Sequence, residues 1–129
     1  MANQKINPVS WFEIYVEDMA RAKKFYEEVL QTELSPLSMP GVTDYEMELF
    51  PRDMIRPGAA GALVKTSEFG PQQGGTIIHF ESDDCSEEES RIEAAGGKIL
   101  KPKESIGEYG FGMLALDSEG NTIGFHSMA

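Results

Sequence analysis

The side chains in this chain best suited to chemistry are a carboxylate and two imidazoles. Glu13 lies in the strand-like run WFEIYVED, His79 in TIIHFESDD and His126 in the closing TIGFHS. Such a set can bind iron, manganese or zinc, can move a proton near neutral pH, or can simply hydrogen-bond within the polar floor of a pocket. The last is the commoner fate of these residue types in strands, and Glu13, His79 and His126 stand as catalytic candidates against that plainer reading. Aromatic side chains accompany them in the sequence. Trp11 and Tyr15 flank Glu13, and Tyr109 and Phe111 begin a strand-like run near the C-terminus. Trp11, Glu13, Tyr15, His79, Tyr109, Phe111 and His126 are therefore the expected lining of a small-molecule site, apolar surface with a few polar anchors.

These residues are positioned by a unit that occurs twice. Residues 9–17 alternate so that Phe12, Ile14 and Val16 share one face and Trp11, Glu13 and Tyr15 the other. Asp18 suits the cap of a following helix whose stripe is Met19, Ala22, Phe25, Tyr26, Val29 and Leu30. Strand-like pieces then fall near 33–38, 43–50 and 59–66. After the Gly- and Pro-marked link at 67–74 the pattern restarts. Ile78 and Phe80 face a helix capped by Asp84 and running through Ala95, while Ile77, His79 and Glu81 face the other way. Three more strands follow near 98–104, 109–117 and 121–127. A repeated supersecondary unit is strong information about architecture. The expected fold is one α+β domain over residues 1–129, built of two βαβββ modules, about 7–66 and about 75–127, forming a curved mixed sheet around a cavity. The loop PRDMIRPGAA at 51–60 carries Met54 and Ile55, which could close over a ligand.

Composition narrows the partners. Acidic residues outnumber basic ones 22 to 11, and the net charge of −11 repels phosphate backbones and anionic membrane surfaces, so no nucleic acid and no membrane are expected. The single cysteine, Cys85, excludes an internal disulfide framework, and MANQKINPVS lacks the features of a secretion signal. A cytoplasmic protein is expected.

Three segments carry a family resemblance: VEDMARAKKFYEEVL in the first module, EAAGGKIL in the second and LDSEGNTIGFHS at the end. Together they resemble the vicinal oxygen chelate superfamily of glyoxalases, bleomycin-resistance proteins and extradiol dioxygenases. The resemblance implies the paired-module fold and a homodimer. It also implies a place for a divalent metal, on the first and last strands of each module. Counted onto this chain, those places fall on Trp11, Gly61, Ile77 and Gly124, none of which offers a suitable lone pair. One pleat further along lie Glu13, His79 and His126, with Leu63 in the fourth place. The expectation is a cavity that binds a small organic molecule with no cofactor. The alternative is a lyase, isomerase or dioxygenase using a displaced divalent metal at Glu13, His79 and His126.

Overall fold

The computed structural model describes residues 7–39, 41–53, 55, 57–71 and 75–129, so Met54 of the 51–60 loop and residues 72–74 of the link lie outside the described residues. The chain divides into two compact units, residues 11–76 and residues 77–129, with the segment ending at Ser10 grouping with the second. The α+β class and the doubled β-α-β-β-β order are as the sequence predicts.

In the first unit the order is β1 (Val9–Tyr15), α1 (Met19–Leu30), β2 (Ser35–Leu37), β3 (Glu46–Leu49) and β4 (Ala60–Lys65). The strands lie side by side as β2-β3-β4-β1, with β4 parallel to β1 and the other two pairings antiparallel. A parallel pair needs a long crossover, and α1 begins it. Asp18 caps that helix as expected, its carboxylate accepting from the Arg21 amide at 3.0 Å.

The face of β1 and β4 beneath α1 holds Val16, Met19, Leu34 and Leu63, with Ile14, Ala22, Tyr26 and Phe50 packed against them. Phe50 stacks at a tilt on Phe12 and edge-on to Tyr26, with ring centroids 5.5 and 5.7 Å apart. The buried stripe of α1 is therefore narrower than the sequence pattern suggests. Met19, Ala22 and Tyr26 face the sheet, whereas Phe25, Val29 and Leu30 are each more than half exposed. A polar residue joins the stripe instead. Lys23 reaches down to Glu48, a buried carboxylate on β3, at 3.2 Å.

In the second unit the order is β5 (Thr76–Glu81), α2 (Cys85–Ile92), β6 (Lys98–Ser105), β7 (Phe111–Leu116) and β8 (Thr122–Ser127), with a single 3-10 turn at Gly107–Tyr109. The strands lie as β5-β8-β7-β6, and β5 is parallel to β8. α2 ends at Ile92, short of the predicted Ala95, because the chain passes through turns before Gly96 takes a left-handed conformation. Its core is Cys85, Met113 and Ala115, flanked by Ile92, Phe111, Ile123 and Phe125, and the Phe80 ring lies 5.6 Å from Phe125. Ile78, expected beneath the helix, is 38 % exposed.

Two ion pairs tie helices to strands and can be tested. Removing one partner of a buried pair costs about 3–5 kcal/mol, and less where one member is partly solvated. Lys23→Ala, which strands Glu48 under a helix from a side chain 34 % exposed, is expected to cost about 2 kcal/mol in urea unfolding. The double change Lys23→Met, Glu48→Leu is expected to recover most of it.

The second pair is at the start of α2. The Lys103 ammonium, 2.8 Å from Asp84 Oδ1, together with Ser86 holds the Asp84 carboxyl down at about 2 from the usual 3.8. A depressed carboxylate stabilises the fold above its unfolded value and loses that contribution as pH falls through its folded one. Asp84→Asn keeps a capping side chain and drops the charge. Its deficit in melting temperature against the wild type is expected to be full above pH 3.8 and to shrink as pH falls toward about 2.

Candidate functional site

In the first unit, the sheet face away from α1 is set by register. Trp11 pairs with Ala60, Glu13 with Ala62 and Tyr15 with Val64 across the parallel β1–β4 ladder. The same face continues over β3 and β2, where Val64 is opposite Met47, Ala62 opposite Leu49, and Leu49 opposite Ser35. Within this mostly apolar surface the polar groups of β1 bond to one another. The Trp11 indole N–H donates to Glu13 Oε2 at 3.1 Å and the Tyr15 hydroxyl donates to Glu13 Oε1 at 2.5 Å. Tyr15 is only 4 % exposed. Burial first, and then the charge of Glu13, push its hydroxyl far above the usual tyrosine range, so it remains a donor. Glu13 and Trp11 themselves are half-buried.

This register corrects the sequence count. Gly61 pairs with Phe12 and Leu63 with Ile14, so both lie on the α1 side rather than beside Trp11 and Glu13. A side chain at Gly61 would collide with the Phe12 ring, its Cβ falling 2.5 Å from Phe12 Cε1, and Leu63 is fully buried in the α1 core. The β4 positions that share a face with Trp11 and Glu13 are Ala60 and Ala62. They too lack any metal-binding atom.

In the second unit, β5 presents Ile77, His79 and Glu81 away from α2, as predicted. The β8 partners are displaced by one pleat from the sequence count: His79 pairs with Gly124, and His126 pairs with Glu81 rather than standing beside His79. The His79 ring lies over Gly124, where a Cβ would come 2.2 Å from Nδ1. His126 is bonded through both nitrogens, Nδ1 to Glu81 Oε1 and Nε2 to the Tyr109 carbonyl, each at 2.6 Å. A carbonyl only accepts, so Nε2 donates to it and a single proton lies on the Nδ1–Glu81 line.

Tyr109 thus enters through its backbone, and Glu81 is the residue that sequence reasoning missed as a partner. The signal was present in strand parity, since Glu81 shares the face of His79. What was lacking was the parallel register that sets His126 against it. Phe111 is the other correction. It packs into the α2-side cluster, with the Lys103 ammonium 4.5 Å from its ring, and so lies on the face away from His126.

Among the described residues, no group of three or more His, Cys, Asp or Glu side chains is arranged to hold a metal ion. The first unit also has an open cleft of about 360 Å³ at the start of α1, lined by Tyr15, Arg21, Tyr26 and Pro71 among others. It lies on the helix side, and Asp18 within it is committed to capping. The bonded Trp11–Glu13–Tyr15 group is the better-built site.

Residues 6–125 match the model of the glyoxalase/bleomycin resistance protein/dioxygenase superfamily. The chain belongs to that superfamily. Solved structures agree on the fold. A hypothetical protein from Methanosarcina mazei is 22% identical with a TM-score of 0.62, covering 98% of this chain and 95% of its own. Methylmalonyl-CoA epimerase from Mycobacterium tuberculosis is 14% identical with a TM-score of 0.68, covering 96% and 89%. A hypothetical protein from Bacillus halodurans C-125 is 15% identical with a TM-score of 0.70, covering 95% of each chain. At such identities the likeness is one of fold, which hosts unrelated chemistries on one scaffold. No curated protein matches the chain. Among the described residues, no helix is long and apolar enough to cross a membrane.

The metal positions implied by the superfamily thus hold Trp11, Ala60 or Gly61, Ile77 and Gly124, and these residues do not fit a divalent ion. At Gly124 the reason is also steric. Gly124→Ala is expected to destabilise by about 1–3 kcal/mol in urea, as overpacking does. Adding His79→Ala should return part of that loss, giving a coupling in a double-mutant cycle.

Proposed function

We propose that this protein binds a small, partly apolar organic molecule against the β1–β4 face, without a divalent ion at the superfamily's metal positions. The observation that carries this reading is the Glu13 carboxylate held by Trp11 and Tyr15 on a strand face otherwise formed by small and aliphatic residues. Ala60 and the buried Ala62 keep the β4 side of this face small and apolar, the indole of Trp11 supplies a flat apolar wall, and Glu13 supplies a fixed polar anchor. Apolar walls with a few placed polar groups are the usual makeup of small-molecule sites. A metal-dependent reaction at a displaced Glu13, His79 and His126 set is the weaker reading. It would require His126 to give up both the Glu81 and the Tyr109 contacts.

The chain has one tryptophan, and it stands in this site. Trp11 emission therefore reports occupancy directly. Titration with a panel of small organic molecules is expected to yield ligands that shift this emission and raise the melting temperature. Glu13→Ala should weaken such a ligand about tenfold or more, the worth of a hydrogen bond to a charged group. Zinc and manganese are expected to leave the melting temperature unchanged. A panel that moves neither signal would count against the reading. Stoichiometric metal retained by the wild type and lost in Glu13→Ala would replace it with the metal-dependent one.

A further inference from the structure

The face that carries Trp11, Glu13 and Tyr15 is not evenly covered along its length. Tyr15, its β4 partner Val64 and Met47 opposite Val64 on β3 are buried, whereas Trp11, Ala60 and Leu49 are half-buried. Because β1 and β4 run parallel, the covered end is the C-terminal end of both strands. The chain leaving β4 turns back over that end. The Phe69 ring lies 5.3 Å from the Tyr15 ring at an interplanar angle of 55°, a favourable tilted pairing of two aromatic side chains.

The segment that carries Phe69 is held from the start of β3. That strand is antiparallel to β4, with Glu46 opposite Lys65, which sets Asp44 and Tyr45 beside the residues that follow β4. Asp44 accepts from the Thr66 hydroxyl at 3.2 Å and from the Ser67 hydroxyl and amide at 2.6 and 3.3 Å. The Tyr45 hydroxyl donates to Glu68 Oε1 at 3.0 Å, and the Glu68 amide donates to the Thr66 hydroxyl at 3.3 Å. Thr66, Ser67 and Glu68 are thus each bonded, and Phe69 is carried on a braced turn.

From this placement we infer that Phe69 is the end wall of the site and sets the length of apolar body that a ligand can lay along the face. The inference rests on the proposed binding function and adds to it a specificity-determining residue and a ligand class. That class has a short apolar part, entering at the half-buried Trp11 end and stopping at the Phe69–Tyr15 ring pair. A longer apolar part has to displace the braced turn or overpack against it, and overpacking is destabilising.

The test titrates hexanol and decanol, both uncharged and transparent where Trp11 absorbs, into the intact protein and follows Trp11 emission. The quantity read is the ratio of the decanol affinity to the hexanol affinity. In Phe69→Ala this ratio is expected to rise about tenfold over the wild type, since one methylene seated in an apolar pocket is already worth about tenfold or more. Phe69→Leu, which keeps a branched apolar side chain, should raise it by less, and this variant keeps the test decisive if Phe69→Ala does not fold. A ratio that stays at its wild-type value or falls in these variants would overturn the inference while leaving the binding function intact. Neither alcohol moving the emission would overturn it as well, and the whole panel failing with them would overturn the binding function too.

Discussion

The parallel ladder between the first and last strand of each unit is the constraint on which the rest of the structure depends. Parallel strands cannot be joined by a hairpin, so each pair demands a long crossover that starts with a helix laid on one face. Once α1 covers Ile14 and Leu63, the pleat leaves Trp11, Glu13 and Tyr15 no choice but the other face. The same ladder between β5 and β8 sends Phe80 and Phe125 to the α2 side and His79, Glu81 and His126 away from it. A shift of one residue in either register would exchange the polar set for the aromatic one and bury carboxylate and imidazole beneath a helix.

The two units use that shared geometry for different local chemistry. In the first, a carboxylate is surrounded by donors from its own strand, alternate residues reaching back along one face. In the second, an imidazole is surrounded by acceptors, one from the adjacent strand and one from the turn at Gly107–Tyr109. The backbone plan is a property of the superfamily, while these polar arrangements belong to the particular residues of this chain. The solved structures illustrate the distinction, since the fold persists at 14% identity in an epimerase.

Much of this was legible in the sequence where a local rule decided it. The caps at Asp18 and Asp84, the two helices and the parity of β1 and β5 follow from residue spacing within single elements. What was not legible depends on pairing between elements far apart in the chain. The placing of Gly61 on the α1 side is not legible in spacing, because strand parity has to be counted through loops whose length in pleats the sequence does not declare. The pairing of His126 with Glu81 rather than with His79 is hidden for the same reason. Phe25 and Val29 fit the apolar stripe of α1 yet stay exposed, because spacing shows which residues can be covered, not how wide the covering sheet is. Lys23 does not stand out in that stripe because a long side chain can lie on a buried face while its charge meets a carboxylate such as Glu48.

The imidazole of His79 resting on Gly124 constrains how this scaffold could change over time. Position 124 cannot gain any side chain while the ring occupies its space. A lineage acquiring a ligating residue there would have to shrink position 79 first, and would thereby discard one of the chain's two histidines before gaining anything in return. Taken in the other order, the intermediate is strained and exposed to loss through instability. The two positions therefore evolve as a linked pair.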